Sequence, residues 1–195
     1  MQTETELKSI QFQSGRKPPG GTELQIKKSM LPGRIDAKIK LPEASEFADF
    51  GSLEIVNGTV TLPVRLAFIA YSRSDADVVN ELRNNLLNVG ILPWLDTKDL
   101  LGGQNWRLFR DKALKEADHC LLFLSKTSVS RIGEFQKEIK LALAEVDRRP
   151  ETSNFLIPIK IDDCTLPSSL SEYNCIDLSK PDGFKILEKS VRQGS

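Results

Sequence analysis

Histidine occurs once in these 195 residues, as His119, and cysteine three times with no Cys-x-x-Cys spacing. A lone imidazole with no spaced Ser or Cys partner argues against a nucleophilic triad. The odd, scattered thiols argue against a zinc ribbon or a disulfide framework. Cys120 and Cys175 lie in runs that read as strands, so the thiols are expected to be reduced packing residues and no metal is expected. No apolar run approaches the roughly 20 residues of a bilayer span, and the first nine residues are polar rather than a charged patch leading into an apolar signal core. A soluble, unexported, cytoplasmic chain with no membrane partner is the expectation. Charge of either sign is not in excess, with 27 Lys+Arg against 27 Asp+Glu. Without a basic field to release counterions, nucleic acid is not expected as a ligand.

What is present suffices for one core and an extension. Residues 1–50 hold few periodic apolar positions and include Ser14-Gly15-Arg16-Lys17-Pro18-Pro19-Gly20-Gly21, a stretch too rich in turn formers for a helix or a central strand. They read as a flexible N-terminal extension with short strands. In residues 51–63, Leu53 and Ile55 answer Val60 and Leu62 across Asn57-Gly58, a dipeptide suited to a two-residue primed turn, so a β-hairpin leads into the domain. No internal repeat is visible.

Over residues 64–195 strands alternate with helices. Leu66 to Tyr71 is a short, nearly continuous apolar run, as a strand buried on both faces requires. Ser74 can cap a helix bearing Val78, Val79, Leu82, Leu86 and Val89, and Gly90 offers a left-handed stop. Ile91 to Leu95 follows as a strand, then a loop from Asp96 to Gln104 and a helix from Trp106 to Ala117. Further strands are expected at Cys120–Leu124, Phe155–Ile161 and Cys175–Leu178, with helices at Ile132–Asp147 and Phe184–Val191. This order implies an α/β, flavodoxin-like three-layer fold with a five-stranded parallel sheet, right-handed crossovers, and ligands at the carboxyl ends of the strands.

Phe68-Ile69-Ala70-Tyr71-Ser72 followed by Asp75, Pro93-Trp94-Leu95-Asp96, and Asp99 to Trp106 occur in order with Leu121-Leu122-Phe123-Leu124-Ser125, Ser128, Gly133 and Gln136-Lys137-Glu138-Ile139. The set resembles a Toll/interleukin-1 receptor (TIR) domain, in the style of bacterial members, over about two-thirds of the chain. Ala70 stands where the first signature usually has Ser, and Phe135-Gln136 where many members have Trp-Cys. The resemblance implies either of two activities. Some members cleave NAD⁺ at the nicotinamide–ribose bond, as hydrolases or cyclases, including members in antiviral defence; others are non-catalytic scaffolds that assemble with partner TIR domains.

NAD⁺ would be a substrate, and no cofactor is implied. Its nicotinamide departs as a neutral base without a general acid, so one carboxylate that steadies the developing ribosyl cation can suffice. Glu138 is the catalytic candidate. At about 100° per residue it lies roughly 90° from the centre of its helix's apolar face, able to enter a cleft; the alternative is an ordinary solvated Glu. Tyr71, Ser72 and Arg73 leave the first strand's carboxyl end where ribose or pyrophosphate could meet them, or they are a helix cap and a surface Arg. Trp106 could stack on a substrate ring or anchor its helix. Ser125 could line the pocket or cap a turn. Leu100, Leu101, Gly102, Gly103 and Gln104 lack the Lys-Ser/Thr of a phosphate loop. The resemblance makes them the loop that docks on a neighbouring TIR domain, with activity dependent on self-association; Leu100-Leu101 as core is the alternative. Asp162-Asp163-Cys164 lacks the ligand count of a metal site and reads as a turn.

Overall fold

A computed structural model of the chain describes residues 8–12, 22–41, 44–94, 105–130 and 133–193, with the side chains of all of these except Trp106, Glu134 and Gln193. The chain divides into two compact units, Met1–Arg65 with Arg83–Leu92, and Leu66–Leu82 with Pro93–Ser195. The sequence placed its boundary at Val64; the division falls after Arg65, and Arg83–Leu92 goes with the first unit.

The first unit differs from the expected flexible extension. It contains β1 (Ser9–Phe12), β2 (Glu23–Lys28), β3 (Arg34–Lys40), β4 (Ala48–Glu54) and β5 (Thr59–Leu62). β2, β3 and β4 form an antiparallel sheet in that order, and β1 pairs in parallel with β5. In β3 the alternation Ile35, Ala37, Ile39 turns one face inward. Those residues bury themselves with Phe12, Val60, Leu62 and Leu87 in one apolar cluster. Burial of that kind, at about 25 cal/mol per Å², is what an unpacked arm would forgo.

The expected hairpin is present at its turn and absent beyond it. Asn57 and Gly58 both have positive φ, 50° and 80°, as a primed turn demands. Val56 and Thr59 exchange both backbone hydrogen bonds at 2.9 Å. That is a single bridge. Beyond it β4 pairs with β3, and β5 with β1, because these longer-range partners satisfy the two backbones while Val60 and Leu62 reach the cluster.

The second sheet has the order β10-β9-β8-β6-β7 and is parallel. Its strands are β6 (Arg65–Ala70), β7 (Ile91–Trp94), β8 (His119–Leu124), β9 (Leu156–Lys160) and β10 (Ile176–Asp177). Every residue of β8 is buried, as its unbroken apolar run requires of a central strand. The helices are α1 (Ala76–Asn88), α2 (Trp106–Glu116), α3 (Lys126–Ser130), α4 (Glu134–Val146) and α5 (Gly183–Gln193). In α1, Val79 and Leu86 are buried but Val78, expected inside, is 46% exposed. Ser74 does not cap this helix: a 3-10 turn at Arg73–Asp75 leads into it, closed by Asp75 N–H donating to Ser72 O at 2.8 Å. Gly90 stops the helix in the left-handed conformation, φ 79°, as expected. Phe68 and Trp94 stack at 5.2 Å between ring centres above a core that includes Leu122, Leu124, Phe135, Ile139 and Phe155.

Candidate functional site

The order of the sheet selects one place on its rim. The chain leaves β6 for β7 on one side and then crosses to β8 on the other, so the connections diverge between β6 and β8. A crevice at such a switch point is where open parallel sheets bind ligands. The segments leaving those two strands are Tyr71 to Asp75 and Ser125 to Ser130.

A buried polar latch joins the two segments. Asp75 is 8% exposed and Ser125 only 4%. Ser125 Oγ donates to Asp75 Oδ2 at 2.8 Å, and Ser74 Oγ donates to Asp75 Oδ1 at 3.3 Å. Ser72 Oγ and Ser74 Oγ lie 3.0 Å apart. Behind Ser125 the backbone closes on itself. Ser125 N–H donates to Ser128 Oγ at 2.8 Å, Ser128 Oγ to Ser125 O at 3.0 Å, and Ser128 N–H to Ser125 Oγ at 3.0 Å. Gln136 Nε2, in the first turn of α4, reaches Ser128 O at 3.4 Å. Buried carboxylates persist only when hydrogen-bonded in this way.

The sequence-derived residues are distributed as follows. Tyr71 and Ser72 are half-buried, Arg73 is exposed, and Ser125 is enclosed with its hydroxyl committed to Asp75 and Ser128. Glu138 is half-buried on α4, on the flank between the buried Phe135–Ile139 side and the exposed Lys137 and Lys140. The Cys120 thiol has its pKa pushed upward, by burial first and by the nearby negative charge of Glu138 second. Trp106 opens α2, where Asn105 Oδ1 accepts from Arg107 N–H at 3.2 Å. The loop residues Leu100, Leu101, Gly102, Gly103 and Gln104 lie outside the described residues, as does the Trp106 side chain.

Next along the rim, Asp162 accepts from Lys126 N–H at 3.0 Å and from Cys164 N–H at 3.0 Å. Lys126 Nζ pairs with Asp163, an interaction that lowers the Asp163 carboxyl pKa and raises that of Lys126. The carboxylates of this turn are thus committed to closing the β9 loop onto α3. Burial, then the charge of Asp162, pushes the Cys164 thiol up to about 11. Among the described residues no cluster of metal-ligating side chains occurs.

Two features were not anticipated. The Asp75–Ser125 bond joins residues fifty apart in sequence, which no local spacing reveals. Arg110, 7% exposed on α2 with Nε and Nη2 on Asp111 Oδ1 at 3.2 and 3.0 Å, sits in a helix so rich in cations that one buried arginine leaves no pattern.

A doubly covered parallel sheet with its polar residues gathered at the β6–β8 switch point defines an α/β protein of flavodoxin-like fold. Residues 67–189 match the TIR domain family, and the chain belongs to that family. It is similar in fold to the TIR domain of the Toll-related receptor TRR-2 from Hydra magnipapillata, at 19% identity and a TM-score of 0.55, over 65% of this chain and 98% of that domain. A prokaryotic SEFIR domain is similar at 20% identity and a TM-score of 0.50, over 65% and 92% of the respective chains. No curated protein sequence matches the chain significantly.

Proposed function

We propose that this TIR domain cleaves the nicotinamide–ribose bond of NAD⁺, with Glu138 as the carboxylate that stabilises the ribosyl cation. The observation that carries the reading is the position of Glu138, half-buried on the flank of α4 beside the buried Phe135 and Ile139. An anion held out of bulk water interacts more strongly with developing positive charge than a solvated one, and it needs no reorganisation as the bond breaks. The departing nicotinamide carries off the bond's electron pair and leaves neutral; water, or a second atom of the same molecule, then takes the ribosyl carbon. Tyr71, Ser72 and Arg73 are assigned to substrate contact and Trp106 to ring stacking. Ser125, given its enclosure, contributes by holding the Ser72–Asp75 turn at the rim.

The test is nicotinamide release from NAD⁺ across a range of protein concentrations. Glu138→Gln should lower the rate by about 10²–10³-fold or more, the scale of losing one charge-stabilising group, without altering the unfolding temperature. Release equal to wild type from that variant would sink the assignment.

A second reading, a TIR scaffold in signal transduction that binds other TIR domains through the loop at 100–104, is favoured by one observation. Leu108 and Phe109, in the helix that follows the loop, are 67% and 40% exposed. Exposed neighbouring apolar side chains are a contact surface in waiting. Self-association lost in Leu108→Glu/Phe109→Glu, with no nicotinamide released by wild type at any concentration, would decide for the scaffold.

A further inference from the structure

The hydrogen bonds of the rim latch leave one hydroxyl with a fixed polarity. A carboxylate has no proton to give, so Asp75 accepts at both of its oxygens. Oδ2 takes the Ser125 proton at 2.8 Å and Oδ1 the Ser74 proton at 3.3 Å. Each serine has a single hydroxyl proton. Ser125, having donated to Asp75, meets Ser128 N–H as an acceptor at 3.0 Å. Ser74 is constrained in the same way. Its proton is spent on Asp75, so in its 3.0 Å contact with Ser72 Oγ it can only accept. The donor in that contact is Ser72.

The opposite sense, Ser74 donating to Ser72, would take a donor from a carboxylate whose residue is only 8% exposed. A bond to an ionised acceptor is roughly twice as strong as one between neutral groups. A buried carboxylate short of a donor also costs more than an exposed hydroxyl that turns to water. The chain therefore runs one way, from Ser72 through Ser74 into Asp75. Ser72, half-buried just beyond the carboxyl end of β6, has given its proton inward and has only lone pairs left to offer.

We infer that Ser72 accepts a hydrogen bond from a ribose hydroxyl of the substrate, a specificity contact whose polarity Asp75 sets through Ser74. This rests on the proposed cleavage of NAD⁺ and divides the work of its contact residues. The pyrophosphate oxygens of NAD⁺ carry no proton at neutral pH, so they would meet the Ser72 oxygen lone pair to lone pair. They fall instead to Arg73, exposed beside it, whose guanidinium only donates. The ribose hydroxyls can donate, and Ser72 is the acceptor they need. Ser74 and Asp75 touch no substrate here; they are positioning residues.

The experiment compares nicotinamide release from NAD⁺ with release from monodeoxy analogues that each lack one ribose hydroxyl. Wild type should cleave at least one analogue with kcat/KM lower by about tenfold or more, because the missing hydroxyl leaves an acceptor unpaired. In Ser72→Ala that ratio should fall to within about twofold of unity. Ser74→Ala should reduce it as well, and Ser74→Thr, which keeps the hydroxyl, should restore it. A wild type that cleaves every analogue as well as NAD⁺, or a ratio that survives Ser72→Ala, would overturn the ribose contact while the cleavage reading stood. Inhibition by inorganic pyrophosphate that weakens in Ser72→Ala would overturn it too, since it would make Ser72 a donor to phosphate. Neutron diffraction from crystals grown in deuterated solvent reads the polarity directly, whatever the protein catalyses. The Ser72 deuteron should lie on the line to Ser74, and a deuteron pointing away from Ser74 would overturn the polarity. No release from NAD⁺ itself would overturn the ribose assignment together with the cleavage reading, with the polarity still decided by the deuteron.

Discussion

Removing one hydroxyl from the rim tests whether the latch between β6 and β8 holds the site together. In Ser125→Ala the buried Asp75 Oδ2 loses its 2.8 Å donor, and Ser128 N–H loses its 3.0 Å acceptor. A hydrogen bond to a charged group contributes about 1.5–3 kcal/mol and a neutral one about 1 kcal/mol, so the variant should be destabilised by about 2–4 kcal/mol. Against a typical total of about 5–15 kcal/mol the protein still folds, and the measurement is feasible. Asp75→Asn keeps the shape but removes the charge, and should cost about 1–2 kcal/mol. Because the two residues share one bond, the double variant should be less unstable than the sum of the singles by about 1–2 kcal/mol. Urea unfolding followed by tryptophan fluorescence suits the assay, since Trp94 is stacked on Phe68 in the same unit. Amide exchange across residues 71–78 should quicken in the same variants. Additivity within about 0.5 kcal/mol would refute the claim that these residues act as a pair.

Other consequences follow from individual positions. Gly90 has φ 79°, and a Cβ there would lie 2.5 Å from the Phe50 ring, whereas Gly51, φ 61°, has nothing within 4 Å. Gly90→Ala should therefore cost about 2–4 kcal/mol and Gly51→Ala only about 1 kcal/mol, read as chemical-denaturation midpoints; equal costs would contradict the packing at Phe50. The Cys164 thiol, with its pKa raised to about 11 from 9.0, favours the neutral form over the pH range in which a free thiol ionises. At pH 8 its thiolate fraction is about a hundredfold lower than that of an unperturbed thiol, and iodoacetamide labelling followed by peptide mass analysis should be slow to match until denaturant is added. Labelling at the free-thiol rate would show that the loop after β9 opens readily.

Legibility varied with the range of the interactions involved. β8 was readable because Cys120–Leu124 is an unbroken apolar run, and the Asn57-Gly58 turn was readable because its chemistry is confined to two residues. The strands flanking that turn were misjudged, since the pattern tells which residues face inward but not which distant backbone supplies the hydrogen bonds. The same limit applied to Ser74. It had the composition of a cap, yet its hydroxyl was drawn to Asp75 and Ser72, and a 3-10 turn starts the helix instead. Residues 1–50 showed few periodic apolar positions, but the two-residue alternation of β3 needs only three inward apolar side chains once β5 and α1 supply more of the cluster.

By itself the sequence determined the alternation of strands and helices and the family, because each is written in local periodicity or in an ordered set of short motifs. Tertiary structure alone decided that β1 to β5 form one compact unit with Arg83–Leu92, that Ser125 is a buried support, and that Asp75 ties two strand ends together. Those outcomes depend on hydrogen bonds and apolar contacts between residues far apart in the chain. Their partners become definite only when the backbone has brought them within about 3 Å of one another, the distance at which a buried polar group is satisfied.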